Sequence, residues 1–170
     1  GIIVKELNAM PPRESVMERI NKAGLTTNEV GYTWMDDSLG LILDKLDELK
    51  LAENTVVLFV ADHGSSNKGS LYKAKGTEVP CIMRWPAGMK QGVRSEELIQ
   101  NTDFAATWFD LAGVKRPAKY RMDGVSLKPL FQNPHQPVRE HVFCEIGAAR
   151  SIKTKTYSYI ALRYTKDQVT

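Results

Sequence analysis

Long apolar runs, cysteine and charge of one sign are all scarce in this sequence. No stretch reaches the ~20 apolar residues that a membrane-spanning helix requires, so a membrane span is not expected. The 23 Lys and Arg residues against 20 Asp and Glu leave a net charge of only +3, without a long basic block, which argues against a nucleic-acid partner. The remaining composition, 42% hydrophobic and 25% charged over 170 residues, is typical of a globular protein that buries a core.

The only two cysteines are Cys81 and Cys144. Each lies within a short apolar run that is typical of a strand, and neither has the Cys-x-x-Cys spacing of a metal or redox motif. We therefore expect two buried thiols that pack as small hydrophobic groups. The sequence leaves open whether the two sulfur atoms lie close enough for a disulfide.

The hydrophobic pattern predicts an α/β organisation with an antiparallel tail. Apolar residues recur at steps of three and four from Tyr32 to Leu49, which predicts a long amphipathic helix, and a short helix is predicted over residues 15–22. A further helix is predicted over residues 103–112, with Asp103 as its N-cap and Gly113 as its C-cap. The apolar run 55–61 predicts a central strand covered on both faces, and other strands are predicted over residues 80–85, 142–146, 151–154 and 157–162, the last two as a hairpin.

The loop that follows the predicted central strand carries the candidate chemistry, because functional groups gather beyond the carboxyl ends of such strands. Asp62 offers a carboxylate oxygen and His63 an imidazole nitrogen, so the two could bind a divalent cation. The ammonium of Lys68 could hold an oxyanion from a second side. By spacing alone, the same residues are also typical of a polar turn and of solvated loop lysines.

Four blocks of sequence in order strengthen the first interpretation. They are residues 32–64, ending in Ala-Asp-His-Gly; residues 68–86, ending in Arg-Trp-Pro; residues 103–130, with Asp-Phe-Ala-Ala-Thr and Asp-Gly-Val-Ser-Leu; and residues 150–160, beginning Arg-Ser-Ile-Lys-Thr. In these blocks the chain resembles the sulfatase family of the alkaline-phosphatase superfamily. The resemblance covers about residues 31–162.

The resemblance implies the C-terminal portion of a sulfatase catalytic domain. The chain would then be part of an alkaline-phosphatase-like, mostly parallel sheet flanked by helices, with a small antiparallel C-terminal hairpin. Residues 1–140 would belong to the catalytic domain and residues 141–170 would begin a small antiparallel subdomain. The first half of the parallel sheet would lie in a missing N-terminal half of the enzyme.

The resemblance also implies roles for individual residues. Asp62 and His63 fall at the positions of two metal ligands, usually for Ca²⁺, and the imidazole leaves Mn²⁺ or Zn²⁺ as less favoured options. Lys68 falls on the lysine that contacts the sulfate group, and Lys75 is a second candidate because residues 73–75 depart from the family pattern. Three further matching residues are expected to cap or brace the fold: Arg84, Asp103 and Asp123.

The family's nucleophile is missing from this chain. Sulfatases use a formylglycine made from Cys or Ser in a Cys/Ser-x-Pro-x-Arg segment, and neither Cys81 nor Cys144 begins such a segment. The paired metal-binding aspartates have no evident counterpart, since Asp36 and Asp37 fall mid-helix on the polar face and are expected to be solvated. We therefore expect no catalytic nucleophile here, formylglycine in the missing half, and no activity from the isolated chain.

The function implied by the resemblance is hydrolysis of a sulfate ester, with a sulfated glycan as one possible substrate class. Two alternatives stay open: a phosphodiester or phosphonate monoester hydrolase of the same superfamily, and a non-catalytic module that only binds anions. Family resemblance also implies a periplasmic, secreted or lysosomal location.

Overall fold

A computed structural model describes residues 10–64, 68–73, 76–117, 119–165 and 167. The chain divides into two compact units, Gly1–Thr55 and Val56–Thr170. Groups of helices and groups of short strands follow one another along the chain, which is consistent with the predicted α/β class. None of the helices within the described residues is both long and apolar enough to cross a membrane. The domain boundary expected near residue 140 stays a prediction.

The described part of the first unit, from residue 10 onward, is helical. Helix α1 spans Arg13–Lys22 and buries Val16 and Ile20, and helix α2 spans Val30–Glu48. Short 3₁₀ turns at Thr27–Glu29 and Ala52–Asn54 flank α2. Both helices were predicted, because the spacing of their apolar residues is a local property of the sequence.

The polar and apolar faces of α2 both differ from expectation. Asp37 is not simply solvated: both its carboxylate oxygens accept hydrogen bonds from the Arg19 guanidinium, at 2.9 and 2.5 Å. The apolar face, in contrast, stays exposed, with Tyr32 62% and Ile42 56% accessible. Among the described residues of this unit, α1, the two 3₁₀ turns and Met10 contact α2, and this is too little surface to cover an apolar face of this length.

The second unit begins with a two-stranded antiparallel sheet of β1, Val57–Val60, and β2, Cys81–Arg84. Both strands were predicted, but the expectation that β1 is covered on both faces is wrong. Its residues are half-buried and Val60 is 38% exposed, because β1 has one neighbouring strand within the described residues. All strand pairs in that part of the chain are antiparallel.

Helices α3, Thr102–Leu111, and α4, Lys128–Gln132, contribute part of the buried core of the second unit. Leu127 and Phe131 are buried, and Phe131 packs edge-to-face against Trp85, with ring centroids 6.2 Å apart. The buried hydroxyl of Thr107 accepts a 2.9 Å hydrogen bond from the Leu127 backbone, which ties α3 to the start of α4.

The C-terminal end predicted for α3 agrees with the structure, and the predicted N-cap does not. Gly113 takes a positive φ of 64° directly after the helix, as expected for a left-handed C-terminal cap. The expected N-cap at Asp103 is wrong, because the helix begins at Thr102 and Asp103 lies in its first turn. The carboxylate of Asp103 instead reaches back to accept a 2.8 Å hydrogen bond from the Gln100 backbone.

A three-stranded antiparallel sheet follows, in the order β3, Val142–Ile146; β4, Ala149–Lys153; and β5, Ser158–Leu162. The predicted hairpin is therefore confirmed, and β3 extends it. The turn from β3 to β4 uses Gly147 with a φ of 54°, a conformation that glycine adopts without steric cost. One face of the sheet buries Val142, Ala149 and Ser151.

The two cysteines lie in different strands, Cys81 in β2 and Cys144 in β3, and both are free thiols. They are half-buried, so the expectation of full burial is wrong for both. Each lies in a short sheet whose strands are only partly covered.

Candidate metal and anion site

Asp62 and His63 lie immediately beyond the carboxyl end of β1, where the sequence placed them. The backbone N–H of His63 donates a 2.9 Å hydrogen bond to Asp62 Oδ1, so the two side chains are held on one turn. The other carboxylate oxygen, Oδ2, lies 3.5 Å from His63 Nε2. A carboxylate oxygen and an imidazole nitrogen thus face each other across a short gap.

The ring of His63 is oriented by its neighbour. His63 Nδ1 lies 2.9 Å from the carbonyl oxygen of Gly64, which can only accept, so we assign the proton of the neutral ring to Nδ1. Nε2 then carries the lone pair, and it lies 3.5 Å from Asp62 Oδ2. Two acceptors facing each other are favourable only if a cation or a proton lies between them, and a backbone carbonyl behind the ring is the usual support of a metal-binding histidine.

This pair fits part of a metal site. Asp62 is 87% exposed and His63 36% exposed, so both are accessible to an ion. No cluster of three or more His, Cys, Asp or Glu side chains forms among the residues that the structure describes. Calcium takes about six to eight oxygen ligands. Asp62 could supply one oxygen and His63 one nitrogen, so a metal bound here would need further ligands in addition to this pair.

Lys68 begins a turn that comes after Asp62 and His63 in the sequence. The backbone N–H of Gly69 donates a 2.9 Å hydrogen bond to the carbonyl of Gly76, which closes the turn. Gly76 must be glycine there, since a Cβ would lie 2.1 Å from the Ser70 carbonyl oxygen. Lys68 is exposed and forms no ion pair with Asp62. The second candidate, Lys75, lies outside the described residues.

The C-terminal sheet holds this turn and the segment after it. The side chain of Ile146, at the end of β3, lies 3.6 Å from the position that a Cβ would take on Gly69. Lys153 of β4 forms an ion pair with Glu78, shortly before β2. Sequence reasoning missed Glu78 and Lys153, because residues 75 positions apart carry no local signal of contact.

The expected bracing role holds clearly for Asp103. Its side chain is fully buried and accepts hydrogen bonds from the Val125 backbone, at 2.9 Å, and from Arg139 Nε, at 3.1 Å. A second nitrogen of Arg139 completes a two-pronged ion pair. Asp123 is exposed and Arg84 is half-buried in β2. Arg139, which the sequence did not single out, is thus the main partner of the brace.

Comparison with known proteins agrees with this architecture. A family model described as Sulfatase matches residues 25–114. An ulvan-active sulfatase of Formosa agariphila is 37% identical over 126 residues, which covers 68% of this chain and 25% of the relative. An N-acetylglucosamine-6-O-sulfatase of Bacteroides thetaiotaomicron is 32% identical, over 58% of this chain and 18% of the relative.

Among solved structures, BT4656 in complex with its substrate D-glucosamine-2-N,6-O-disulfate superposes with a TM-score of 0.63. It is 22% identical and covers 88% of this chain and 36% of its own, so it shows the fold. In the two curated relatives named above, the matched region spans a quarter or less of the relative's length. The fold and the family are thus assigned for a segment that corresponds to only part of a complete relative.

Proposed function

Since the chain belongs to the sulfatase family, we propose that it supplies part of the metal- and sulfate-binding site of a sulfuric ester hydrolase. In this proposal Asp62 and His63 are two ligands of a divalent cation, and Lys68 contacts the sulfate group. The nucleophile, the remaining ligands and most of the parallel sheet come from a missing N-terminal half. The observation that carries the proposal is the pair of acceptors, Asp62 Oδ2 and His63 Nε2, facing each other 3.5 Å apart at the end of β1.

Each of these residues has a chemical task that follows from its position. The Gly64 carbonyl holds the His63 ring so that Nε2 points outward as a ligand, and Asp62 adds a hard anionic oxygen. A bound cation, Ca²⁺ by preference, would polarise the sulfate oxygens and stabilise the charge that develops on them. The ammonium of Lys68 neutralises the same oxyanion from a second direction. A formylglycine in the missing half would attack sulfur.

The proposed substrate class is a sulfated glycan. The ulvan-active and N-acetylglucosamine-6-O-sulfatases are glycan sulfatases by name, and the fold neighbour is bound to a disulfated glucosamine. Carbohydrate polymers of this kind lie outside the cytoplasm, so we propose an exported or lysosomal enzyme. Fusion of the complete coding region to a compartment-specific reporter tests this location.

The sulfate contact is tested in the complete enzyme, which contains the N-terminal half. Lys68→Ala should lower kcat/KM for an aryl sulfate by at least about a hundredfold, because a charge-assisted contact to the developing oxyanion is lost. Lys119→Ala removes an exposed lysine of the same charge and should change kcat/KM less than about twofold. Equal and small effects of the two changes would show that Lys68 does not contact sulfate.

The ligand assignment has a readout that is independent of turnover. Asp62→Asn and His63→Ala in the complete enzyme should each lower the metal affinity, measured by Ca²⁺ titration calorimetry, by about tenfold or more. Asp123→Asn, at an exposed aspartate elsewhere in the second unit, is the matched control and should leave affinity unchanged. Unchanged Ca²⁺ affinity in both Asp62→Asn and His63→Ala would contradict the assignment.

A further inference from the structure

A cavity of about 590 Å³ lies at the turn end of the C-terminal sheet, away from the side chains of Asp62 and His63. Its volume is within the usual range of about 300–1,000 Å³ for small-molecule sites. It is lined by residues of the β3–β4 turn, of β4 and of the segment after β5: Gly147, Ala148, Arg150, Arg163, Tyr164 and Thr165. Two of these six are arginines.

The sheet register brings both arginines to the same end of the sheet. Arg150 of β4 pairs with Ala161 of β5, and Arg163 follows directly after the end of β5; both residues line the cavity. The backbone N–H of Arg163 donates a 2.8 Å hydrogen bond to the Ala148 carbonyl, which fastens the end of β5 against the turn. The backbone segments that carry Arg150 and Arg163 are therefore joined at the same end of the sheet.

The charge of the cavity is positive in balance. Arg150 donates a 3.0 Å hydrogen bond to Glu145, the residue opposite it on β3, so one carboxylate offsets one guanidinium. Arg163 forms no ion pair with any residue in the described part of the chain and remains as the uncompensated cation. A planar guanidinium with five donors matches sulfate and carboxylate groups in particular.

An aromatic ring and a hydroxyl complete the lining. Tyr164 directly follows Arg163 and is 53% exposed, so its ring is accessible to a ligand. An exposed tyrosine beside cationic groups suits a sugar ring that carries an anionic substituent, because the ring packs against apolar C–H groups while the arginines bind the charge.

From this arrangement we propose that the cavity is a second anion subsite, which binds a sulfate or carboxylate group on a neighbouring sugar of an anionic glycan. This inference rests on the proposed function, since it assigns a second contact to the same substrate. The cavity adjoins the Lys68 turn along the chain: Ile146 packs against Gly69, and the next residue, Gly147, lines the cavity. A glycan with two anionic groups could therefore contact both sites.

The test uses D-glucosamine-2-N,6-O-disulfate as probe and unsulfated D-glucosamine as its control. An arginine-selective dicarbonyl reagent labels the 170-residue chain, and mass spectrometry reports the labelling rate of each arginine. The disulfated sugar should slow the labelling of Arg150 and Arg163 by at least about threefold, while Arg94, an exposed arginine in an ion pair with Glu96, should be unaffected. Unsulfated glucosamine should protect none of them.

Calorimetric affinities for the same probe separate this site from the Lys68 site. Arg163→Gln should weaken binding about tenfold, as loss of a charge-assisted hydrogen bond implies, and Arg163→Lys should restore part of it. The matched control Arg94→Gln should bind as the unchanged chain does, and Lys68→Ala should retain the protection of Arg163. Circular dichroism checks that each variant is folded.

Three results would overturn the inference. Binding that is abolished by Lys68→Ala and insensitive to Arg163→Gln would leave the proposed function intact but remove the second subsite. If the disulfated sugar slows the labelling of neither Arg150 nor Arg163, the cavity does not bind it and the second subsite is likewise removed. Equal protection by inorganic sulfate at the same concentration would identify an adventitious anion contact rather than a glycan subsite.

Discussion

Asp103 is the buried carboxylate at which several segments of the second unit meet through polar contacts. It is fully buried, accepts backbone hydrogen bonds from Gln100 and Val125, and pairs with Arg139, which is itself mostly buried. Each contact joins a different segment to the first turn of α3. A buried carboxylate of this kind is stable only while its counter-charge is present.

Replacing Arg139 should therefore destabilise the chain strongly. Arg139→Met leaves Asp103 buried without its cation, and we expect a loss of about 3–5 kcal/mol in the free energy of unfolding, measured by urea denaturation. Arg94→Met breaks an exposed ion pair with Glu96 and should cost less than about 1 kcal/mol. Similar losses in the two variants would contradict the bracing role of Asp103.

Cys81 allows a test of burial by chemical reactivity. Partial burial raises the pKa of the Cys81 thiol, because removal from water disfavours the thiolate. At pH 8 the native chain should therefore react with iodoacetamide at Cys81 more slowly than the urea-unfolded chain, with peptide mass spectrometry as the measurement. Equal rates in the native and unfolded chain would show that β2 does not shield this thiol.

At the residue scale, sequence reasoning could link residues where the signal is local, and the metal-binding role of Asp62 and His63 stays a prediction. Asp62 and His63 could be proposed as a pair because they are adjacent and follow a strand, and the structure does bring their side chains together. Arg139 and Lys153 could not be proposed, since their partners lie 36 and 75 residues away and nothing in the local pattern links them. Long-range ion pairs depend on the tertiary fold, which composition and spacing do not specify.

The helices and strands were predictable because their signal is local, whereas the residues that cover them were not. The periodicity of three and four residues located α2, and apolar β-branched runs located β1 and β3. The same pattern led to the wrong expectation that β1 is covered on both faces. An apolar run indicates a strand that is suited to burial, but the residues that cover it must come from elsewhere in the molecule.

The contact between α1 and α2 should depend on pH. Hydrogen bonding and attraction by Arg19 hold the pKa of Asp37 below its ordinary value, so the pair stabilises the folded chain at pH values above the unfolded pKa of about 4. This contribution is lost as the pH falls through the lower pKa of the folded state. Asp37→Asn should consequently lower the urea midpoint at pH 7 and have a vanishing effect near pH 2.

The matched control is Asp44→Asn, on the same helix at an exposed position. It removes one negative charge from α2 without touching Arg19, so its effect on the urea midpoint should be small at pH 7. A difference between the unchanged chain and Asp37→Asn that stays constant from pH 7 to pH 2 would show that the ion pair does not stabilise the helix contact.

At the scale of the whole molecule, the exposed apolar surface agrees with the fact that the chain aligns with only part of its relatives. The chain aligns with a quarter or less of its curated relatives. Its core is correspondingly small, and large apolar side chains on α2, on β2 and on the C-terminal sheet stay exposed. Patches of this kind on a globular protein usually mark surfaces that another chain or segment covers.

The isolated chain should therefore associate in solution. Tyr32, Met35 and Ile42 on α2, and Leu49 directly after it, are all more than 40% exposed, and covering them removes apolar area from water at about 25 cal/mol per Å². Sedimentation velocity over a concentration series should show species larger than the monomer, and Ile42→Glu should shift the distribution toward monomer. Asp44→Glu, which adds only one methylene to an exposed charged residue of the same helix, should leave it unchanged. A single monomeric species with cooperative unfolding at all concentrations would mean that these apolar side chains need no covering partner.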